Sequence, residues 1–134
     1  MKTKSSKHSV FSLGYHIVWC TKYRNEVLDE LQSIAVKRSI GETCGACDWE
    51  LVSVEVMPEH VHVFVRADPS TSPAEIAKTM KSISAIQVFN DFPDLKRRRF
   101  WGSGLWSRGT YYGSVGSVTE NAVKKYIEEQ KSNG

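Results

Sequence analysis

The sequence of 134 residues predicts an α+β fold in which helices cover an antiparallel sheet. Three observations support this prediction. The N-terminal segment is rich in aromatic and β-branched residues, two consecutive central segments alternate between apolar and polar residues, and segments with a helical spacing of apolar residues flank that central pair. The segments therefore follow in the order strand, helix, strand, strand, helix, strand, helix.

The first strand is predicted over residues 11–20, "FSLGYHIVWC", because aromatic and β-branched side chains are typical of strands. A helix is predicted from Glu26 to about Cys44, where apolar residues recur at helical spacing. Cys44 and Cys47 form one CxxC near the end of this helix. Without a second pair of ligands a CxxC is a weak zinc signal, so we interpret it as the turn that ends the helix.

Two alternating segments, "DWELVSVEVMP" and "HVHVFVRAD", predict a pair of strands joined by a tight turn at "MPEH". In the first of these strands Val52, Val54 and Val56 are expected to share one face, with Leu51 out of phase. This alternation is the period of a strand that is buried on one side.

The second strand of the hairpin separates its side chains into two sets. The valines from Val61 to Val65 are expected to face the core, while His60, His62 and Phe64 face the opposite side. Two imidazoles on one face, about 7 Å apart along the strand, form half of a candidate metal site. A pair of solvent-facing histidines that bind nothing explains the same pattern, so a third ligand has to be found.

The clearest helix start is at "STSPAEIAKTM", where Ser72 is an N-cap, Pro73 takes the first helical position and Glu75 completes a capping box. A fourth strand is predicted at "TYYGSVGSV", and a capping box from Ser117 to Glu120 begins a final helix. With this additional C-terminal helix, the order of elements matches a split βαβ sheet of the ferredoxin-like type.

Composition and charge limit the classes of function. The length fits a single domain over residues 1–134, with a basic tail at about residues 1–9. The chain has 40% hydrophobic and 25% charged residues, no apolar run that spans a bilayer and no secretory signal, so we expect a cytoplasmic protein without a membrane partner. The net charge of +3 is too small to indicate a polyanionic partner by itself.

The distribution of charge is more informative than the total. The run "KRRR", which is Lys96, Arg97, Arg98 and Arg99, precedes the aromatic-rich segment "FWGSGLWSRGTYY". Basic residues interleaved with aromatic ones suit single-stranded nucleic acid, whose phosphates attract cations and whose bases stack on aromatic rings. A solvated loop with its aromatic residues in the core explains the same pattern, and both interpretations stay open here.

Tyr126 and Gln130 are spaced i, i+4 in the final helix and therefore lie on one side of it. A tyrosine oxygen becomes a useful nucleophile when its electrophile is strongly polarised, and a divalent ion at His60 and His62 would polarise a phosphate. The alternative is that Tyr126 packs at the rim of the core and Gln130 ends the helix in solvent.

Four segments in order, "YHIVWCTKYR", "EVMPEHVHVFV", "LWSRGTYYGSVG" and "VKKYIEEQ", resemble the single-tyrosine transposases of the HUH superfamily, which are encoded by insertion sequences that move as single-stranded DNA. The resemblance extends from about residue 11 to residue 130. It implies that His60 and His62, separated by Val61, bind a divalent ion, usually magnesium or manganese. It further implies that Tyr126 is the nucleophile and Gln130 the third metal ligand.

The resemblance also implies an activity and partners. Tyr126 would attack a scissile phosphate in single-stranded DNA, forming a 5′-phosphotyrosyl link and freeing a 3′-hydroxyl, without consuming water or a nucleotide cofactor. Family members recognise imperfect hairpins near the ends of the element. They act as homodimers, and in many of them the tyrosine helix completes the histidine site of the partner subunit.

Further residues are assigned from their chemistry and position. Lys78 and Lys81 are expected to project outward and, with the run from Lys96 to Arg99, to contact DNA phosphates. His16, on the first strand beside Tyr15, belongs either to the core or to the site, and the core is favoured. Two other functions stay open: a non-catalytic module that binds single-stranded nucleic acid, and a metal-dependent phosphohydrolase with a water nucleophile, in which Tyr126 is dispensable.

Overall fold

The computed structural model describes residues 4–5, 10–11, 13–99, 104–114 and 126–129. A four-stranded antiparallel sheet has the order β4-β5-β3-β6, and its strands are β3 (Leu13–Cys20), β4 (Glu50–Met57), β5 (His60–Ala67) and β6 (Tyr111–Ser114). A separate two-stranded sheet pairs β1 (Lys4–Ser5) with β2 (Val10–Phe11). The helices are α1 (Glu30–Cys47), α2 (Pro73–Asp91) and α3 (Pro93–Arg99), with one 3-10 turn at Lys22–Arg24. Residues 126–129 are also helical.

This architecture confirms the predicted α+β fold and the predicted order of its strands and main helices. The hairpin turn falls at Pro58 and Glu59, between β4 and β5, as the sequence indicates. Two details differ: α3 is an additional helix that carries the basic run, and the capping box from Ser117 to Glu120 lies outside the described residues. No helix among the described residues is both long enough and apolar enough to cross a membrane.

One face of the sheet forms the core with α1 and α2. Fully buried side chains come from the strands, as with Ile17 and Trp19, and from the helices, as with Ile40 and Met80. Trp106, from the segment after α3, packs edge-on against Trp19 with their ring centroids 5.9 Å apart. Burial of this apolar surface is the main driving force for folding and leaves the opposite face of the sheet free for other residues.

The ends of α1 explain why the helix is shifted from its predicted position. The Asp29 carboxylate accepts hydrogen bonds from the backbone N–H groups of Leu31 and Gln32, at 3.1 and 3.4 Å, so the helix begins at Glu30 rather than Glu26. It ends at Cys47, where Asp48 takes a left-handed conformation with φ of 59°. The CxxC therefore lies in the last helical turn, which confirms its interpretation as a helix end.

Strand β4 corrects the predicted alternation of its side chains. The pairing with β5 shifts register between Leu51 and Ser53, which marks a β-bulge. The bulge turns Val52 outward to 38% exposure, while Leu51 packs against the core together with Val54 and Val56. The prediction that Val52 shares the face of Val54 is therefore wrong, because one extra residue reverses the phase of the strand.

Helix α2 begins as predicted. Ser72 is the N-cap, its hydroxyl accepts a hydrogen bond from the Glu75 backbone N–H at 3.1 Å, and Pro73 is the first helical residue. The buried side of α2 runs from Ile76 through Met80 to Val88 and faces the sheet. This packing fixes the direction in which the lysines of α2 point.

Candidate active site

The sheet face opposite the core carries the predicted histidines. Along β5 the burial alternates, so that the valines are fully buried and His60, His62 and Phe64 are partly buried. The register with β3 places Cys20 opposite His60, Val18 opposite His62 and His16 opposite Phe64. We call this surface the histidine face, and its geometry confirms the predicted orientation of His60 and His62.

His60 is held by the residue that precedes it. Its Nδ1 lies 2.7 Å from Oε1 of Glu59, and both side chains are largely shielded, with exposures of 18% and 20%. The Glu59 carbonyl in turn accepts a hydrogen bond from the Thr21 backbone N–H at 3.0 Å, which fixes the turn against β3. A carboxylate on Nδ1 leaves Nε2 as the nitrogen available to a metal, an arrangement that is typical of histidine ligands.

His62 is held by a second imidazole. Its Nε2 lies 3.0 Å from Nδ1 of His16, and the His16 ring stacks on Phe64 with centroids 4.5 Å apart and planes inclined by 10°. Of the two alternatives for His16, the favoured one, the core, is therefore wrong: His16 lies half-buried on the histidine face. Burial lowers the pKa of both His16 and His62, and the neighbouring His16 lowers the pKa of His62 further, so both rings favour the neutral form.

Tyr126 packs against Tyr111 of the edge strand β6 in the same chain. Its ring centroid is 5.9 Å from that of Tyr111, which pairs with Val18 of β3 and so shares the face of His62. An ion pair of 3.2 Å between Arg24 and Glu128 holds the helical residues 126–129 next to the 3-10 turn that follows β3. The structure thus brings Tyr126 to the same side of the sheet as the two histidines.

The environment of Tyr126 disfavours the phenolate. The hydroxyl is buried without a hydrogen bond of ordinary geometry to the described residues, and this burial raises its pKa well above the usual value. The neighbouring Ser107 side chain lowers the pKa, but by less than burial raises it. Burial also raises the pKa of the nearby Cys20 thiol to about 12, so Cys20 is neutral at physiological pH and does not compete as a nucleophile.

The donor set for a metal is incomplete in the described part of the chain. Among those residues, no group of three or more His, Cys, Asp and Glu side chains is arranged to hold an ion. Gln130, the third ligand implied by the resemblance, lies outside the described residues. His60 and His62 still fit a divalent ion, since within the described part of the chain each imidazole has one nitrogen held by a neighbour and one left for coordination.

Lys81 does not project outward as predicted. Its ammonium contacts the Ser107 carbonyl at 2.9 Å, the Gly109 carbonyl at 3.3 Å and the Thr110 hydroxyl at 3.1 Å. Burial lowers its pKa. These contacts use the three donors of the ammonium to hold the segment before β6, so the outward direction inferred from helical spacing is wrong for Lys81.

The described aromatic residues between α3 and the end of β6 divide between the core and the surface. Trp106 and Leu105 are buried, and the Trp106 indole N–H is 3.1 Å from both the Lys81 carbonyl and the Ser84 hydroxyl. For these two residues the interpretation as core is confirmed. Tyr112, by contrast, is 40% exposed on β6.

A basic groove separates α2 from β6 on the helical side of the sheet. Its volume is about 290 Å³, and it contains no carboxylate among its lining residues, which are Ala74, Ala77, Lys78, Lys81, Ser82, Arg108, Thr110 and Tyr112. Lys78 and Arg108 are exposed at its surface. Arg108 and Tyr112 were not singled out from the sequence, although the basic and aromatic residues of "SRGTYY" indicate a surface for nucleic acid.

The predicted basic run lies on a helix rather than in a loop. Lys96 is exposed on α3 with its ammonium 4.5 Å from the centre of the Phe89 ring, and Arg97 pairs with Asp94. Arg98 and Arg99 belong to the same helix, but their side chains lie outside the described residues. Of the predicted phosphate contacts, Lys78 and Lys96 therefore present their charge to solvent without a carboxylate partner among the described residues.

Comparisons with known proteins identify relatives of the whole chain. A family model described as "Transposase IS200 like" matches residues 9–130. The ISDra2 transposase TnpA of Deinococcus radiodurans is 32% identical over 130 residues, which cover 97% of this chain and 92% of that protein. The crystal structure of a Deinococcus radiodurans protein assigned as a transposase superposes with a TM-score of 0.82 at 33% identity, covering 95% and 97% of the two chains.

A more distant solved structure supports the fold alone. It is a REP-associated tyrosine transposase, which superposes with a TM-score of 0.56 at 12% identity and covers 93% of this chain and 68% of its own. The fold matched by these structures is the α+β arrangement described above, with its four-stranded antiparallel sheet and packed helices.

Proposed function

The chain belongs to the family of IS200-like transposases, enzymes that act on DNA, and from this premise we propose that it cleaves and rejoins single-stranded DNA through a 5′-phosphotyrosine at Tyr126. The observation that supports the proposal is the contact of the Tyr126 ring with Tyr111, a residue on the sheet face that also bears His60 and His62. A nucleophile and two potential metal ligands on one surface are the minimum needed for phosphoryl transfer by this route.

The proposed reaction exchanges one phosphodiester bond for another. The Tyr126 oxygen attacks the scissile phosphorus, a bond from phosphorus to the phenolic oxygen forms, and the bond to the 3′-oxygen breaks. The phenol loses its proton and the departing 3′-oxygen gains one, so no water is consumed. Attack by the 3′-hydroxyl of another DNA end on the phosphotyrosine reverses the step and releases the tyrosine.

Because its pKa is raised by burial, Tyr126 is protonated in the resting protein and needs an activated phosphate. His60 through Nε2, and His62 through its remaining nitrogen, would hold a divalent ion together with Gln130. When bound, the ion supplies positive charge that polarises the scissile phosphate. Glu59 orients His60 through Nδ1.

We propose that the basic groove binds the DNA. Lys78 and Arg108 are placed to contact backbone phosphates, and the exposed ring of Tyr112 offers a stacking surface for a base. Lys96 on α3 adds a further positive charge. A hairpin end is the form of DNA we expect, and the distant REP-associated relative was solved bound to a REP hairpin. DNA as substrate also supports the cytoplasm as the place of action.

We further propose that the protein works as a homodimer, as its resemblance to the superfamily implies. In the ion pair between Arg24 and Glu128, the Glu128 side chain is 68% exposed. Exposed ion pairs contribute only about 0–1 kcal/mol to the free energy of folding. This contact therefore holds residues 126–129, which include Tyr126, only weakly, and the same ion pair can form between two subunits. Light scattering should give twice the 15.1 kDa of one chain.

The proposed function is tested with labelled single-stranded oligonucleotides that tile the DNA flanking the coding sequence, incubated with protein and Mn²⁺ and then denatured. We expect a covalent protein–DNA adduct with the wild type and none with Tyr126→Phe. A non-catalytic binding module gives no adduct with either protein. A phosphohydrolase with a water nucleophile gives cleaved DNA without an adduct, and Tyr126→Phe leaves that cleavage unchanged.

A further inference from the structure

His16 has no part in the chemistry described so far, yet it makes a polar contact of 3.0 Å to His62. Its Nδ1 lies 3.0 Å from His62 Nε2, a distance that requires a hydrogen bond with one nitrogen as donor and the other as acceptor. The sequence alone offered no reason to connect the two, since 46 residues separate them. The contact exists because β3 and β5 are neighbouring strands.

The orientation of the His16 ring is fixed independently of His62. It stacks on Phe64, its direct partner across the strands, with centroids 4.5 Å apart and nearly parallel planes. On the other side of β3 the paired residue is Gly113, which has no side chain to compete for the space. His16 is therefore a pre-oriented partner rather than a ring that happens to lie nearby.

The hydrogen bond decides which atom of His62 is left for a metal. Nε2 of His62 is occupied by His16, so only Nδ1 can offer a lone pair for coordination. For Nδ1 to carry a lone pair, the proton of neutral His62 must reside on Nε2 and be donated to His16 Nδ1. His16 then carries its own proton on Nε2.

This arrangement matches the one at His60. There the Glu59 carboxylate accepts a hydrogen bond from Nδ1–H and leaves Nε2 for coordination. Within the described ranges, both imidazoles thus have one nitrogen held by an acceptor and one nitrogen free, but the held and free atoms are exchanged between them. Outer partners of this kind fix the ring and the tautomer of metal-binding histidines.

We propose that His16 is a positioning residue that fixes the ring and tautomer of His62 for metal binding, as Glu59 does for His60. The proposal rests on the proposed role of His62 as a ligand. Loss of such a partner typically weakens metal affinity by about 10–100-fold. The competing possibility is that His16 blocks His62 and must be displaced by the metal, in which case its removal strengthens affinity.

Three substitutions test the proposal through the affinity for Mn²⁺ measured by titration calorimetry, with no DNA present. His16→Phe keeps an aromatic ring to stack on Phe64 and removes Nδ1, and we expect it to weaken binding by about 10–100-fold. His16→Asn restores an acceptor near the position of Nδ1, and we expect affinity closer to that of the wild type. His62→Ala should abolish binding at this site.

These outcomes separate the proposal from its premise. If His62→Ala binds Mn²⁺ as well as the wild type, the proposed metal site is wrong and the role of His16 falls with it. If His62→Ala loses binding but His16→Phe binds with equal or higher affinity, the metal site stands and the positioning role is overturned. Thermal unfolding of the metal-free variants checks that the fold is retained.

The tautomers give a second test that needs no substitution. Nitrogen-15 spectra of the metal-free wild type at neutral pH report which ring nitrogen of each histidine carries the proton. We expect the proton on Nε2 of His62 and on Nδ1 of His60. A proton on Nδ1 of His62 would show that His16 is the donor, and this result overturns the proposal even if a His16 variant fails to fold.

Discussion

The two faces of β5 are built from alternate residues of one strand and depend on different interactions. On one face Val61, Val63 and Val65 are completely buried against the helices. On the other, His60 and His62 are partly buried, and among the described residues each is held by one polar neighbour. Burial on the first face is shared among many side chains, whereas the geometry of the second depends on one contact for each ring. In this strand, side-chain direction alone separates the residues that stabilise the fold from those proposed for the chemistry.

The largest effect is expected on the histidine face. His60→Ala should reduce the covalent DNA adduct below detection, because it removes a proposed metal ligand. Its free energy of unfolding in urea should stay within about 1 kcal/mol of the wild type, since no packed apolar side chain is lost. An adduct that persists in this variant, with the fold intact, would remove His60 from the proposed chemistry.

The buried face should show the reverse. Ile17 is fully buried in β3, and Ile17→Ala should lower the free energy of unfolding by about 2–5 kcal/mol because it leaves a cavity in the core. At temperatures where the variant is still folded, adduct formation should be retained. Urea denaturation and the adduct assay on the same sample provide the two readings, and a stability loss under 1 kcal/mol would contradict the assigned core.

A similar comparison can be made between two lysines of α2, the partly buried Lys81 and the exposed Lys78. Lys81→Met leaves the carbonyls of Ser107 and Gly109 without their donor, and we expect it to cost about 1–3 kcal/mol of stability. Equal stability of the variant and the wild type in urea would show that these contacts are not needed to hold the segment.

Lys78→Met is the matched substitution at the exposed position. Its stability should stay within about 0.5 kcal/mol of the wild type. Its affinity for single-stranded DNA should fall, and the slope of log affinity against log salt should decrease by about one, because one phosphate contact is lost. An unchanged slope in fluorescence anisotropy titrations would place the DNA elsewhere.

The smallest effect is expected at the β-bulge. Val52 is exposed, so Val52→Thr should change the free energy of unfolding by no more than about 0.5 kcal/mol. Val54→Thr, on the core side of the same strand, introduces a hydroxyl into apolar surroundings and should cost about 1–3 kcal/mol. Equal effects at the two positions would argue against the bulge.

Much of the fold could be predicted because its signals are local. The alternation in "HVHVFVRAD" and the cap at Ser72 are encoded within a few neighbouring residues. The bulge at Val52 could not be predicted, because its phase change depends on pairing with β5. Helix α3 was missed for a similar reason: its seven residues, "PDLKRRR", include a single core-packed apolar side chain, Leu95, and so show no apolar periodicity.

The site was predicted less completely than the fold. Motif resemblance indicated His60, His62 and Tyr126, but the role of His16 depends on the register of β3 with β5. Lys81 was given the wrong direction because helical spacing does not reveal that carbonyls from residues 107–109 lie beside it. In both cases the partner is distant in sequence, and only the folded chain brings the groups together.

The most direct test of the account identifies the residue that is joined to DNA. The adduct formed with a single-stranded oligonucleotide is digested with trypsin and nuclease, and the modified peptide is sequenced by mass spectrometry. Cleavage after Lys125 and Lys131 releases "YIEEQK", in which Tyr126 is the only tyrosine. We predict a 5′-phosphonucleotide on Tyr126 of this peptide. A nucleotide on Tyr111, Tyr112 or any other residue would contradict the account.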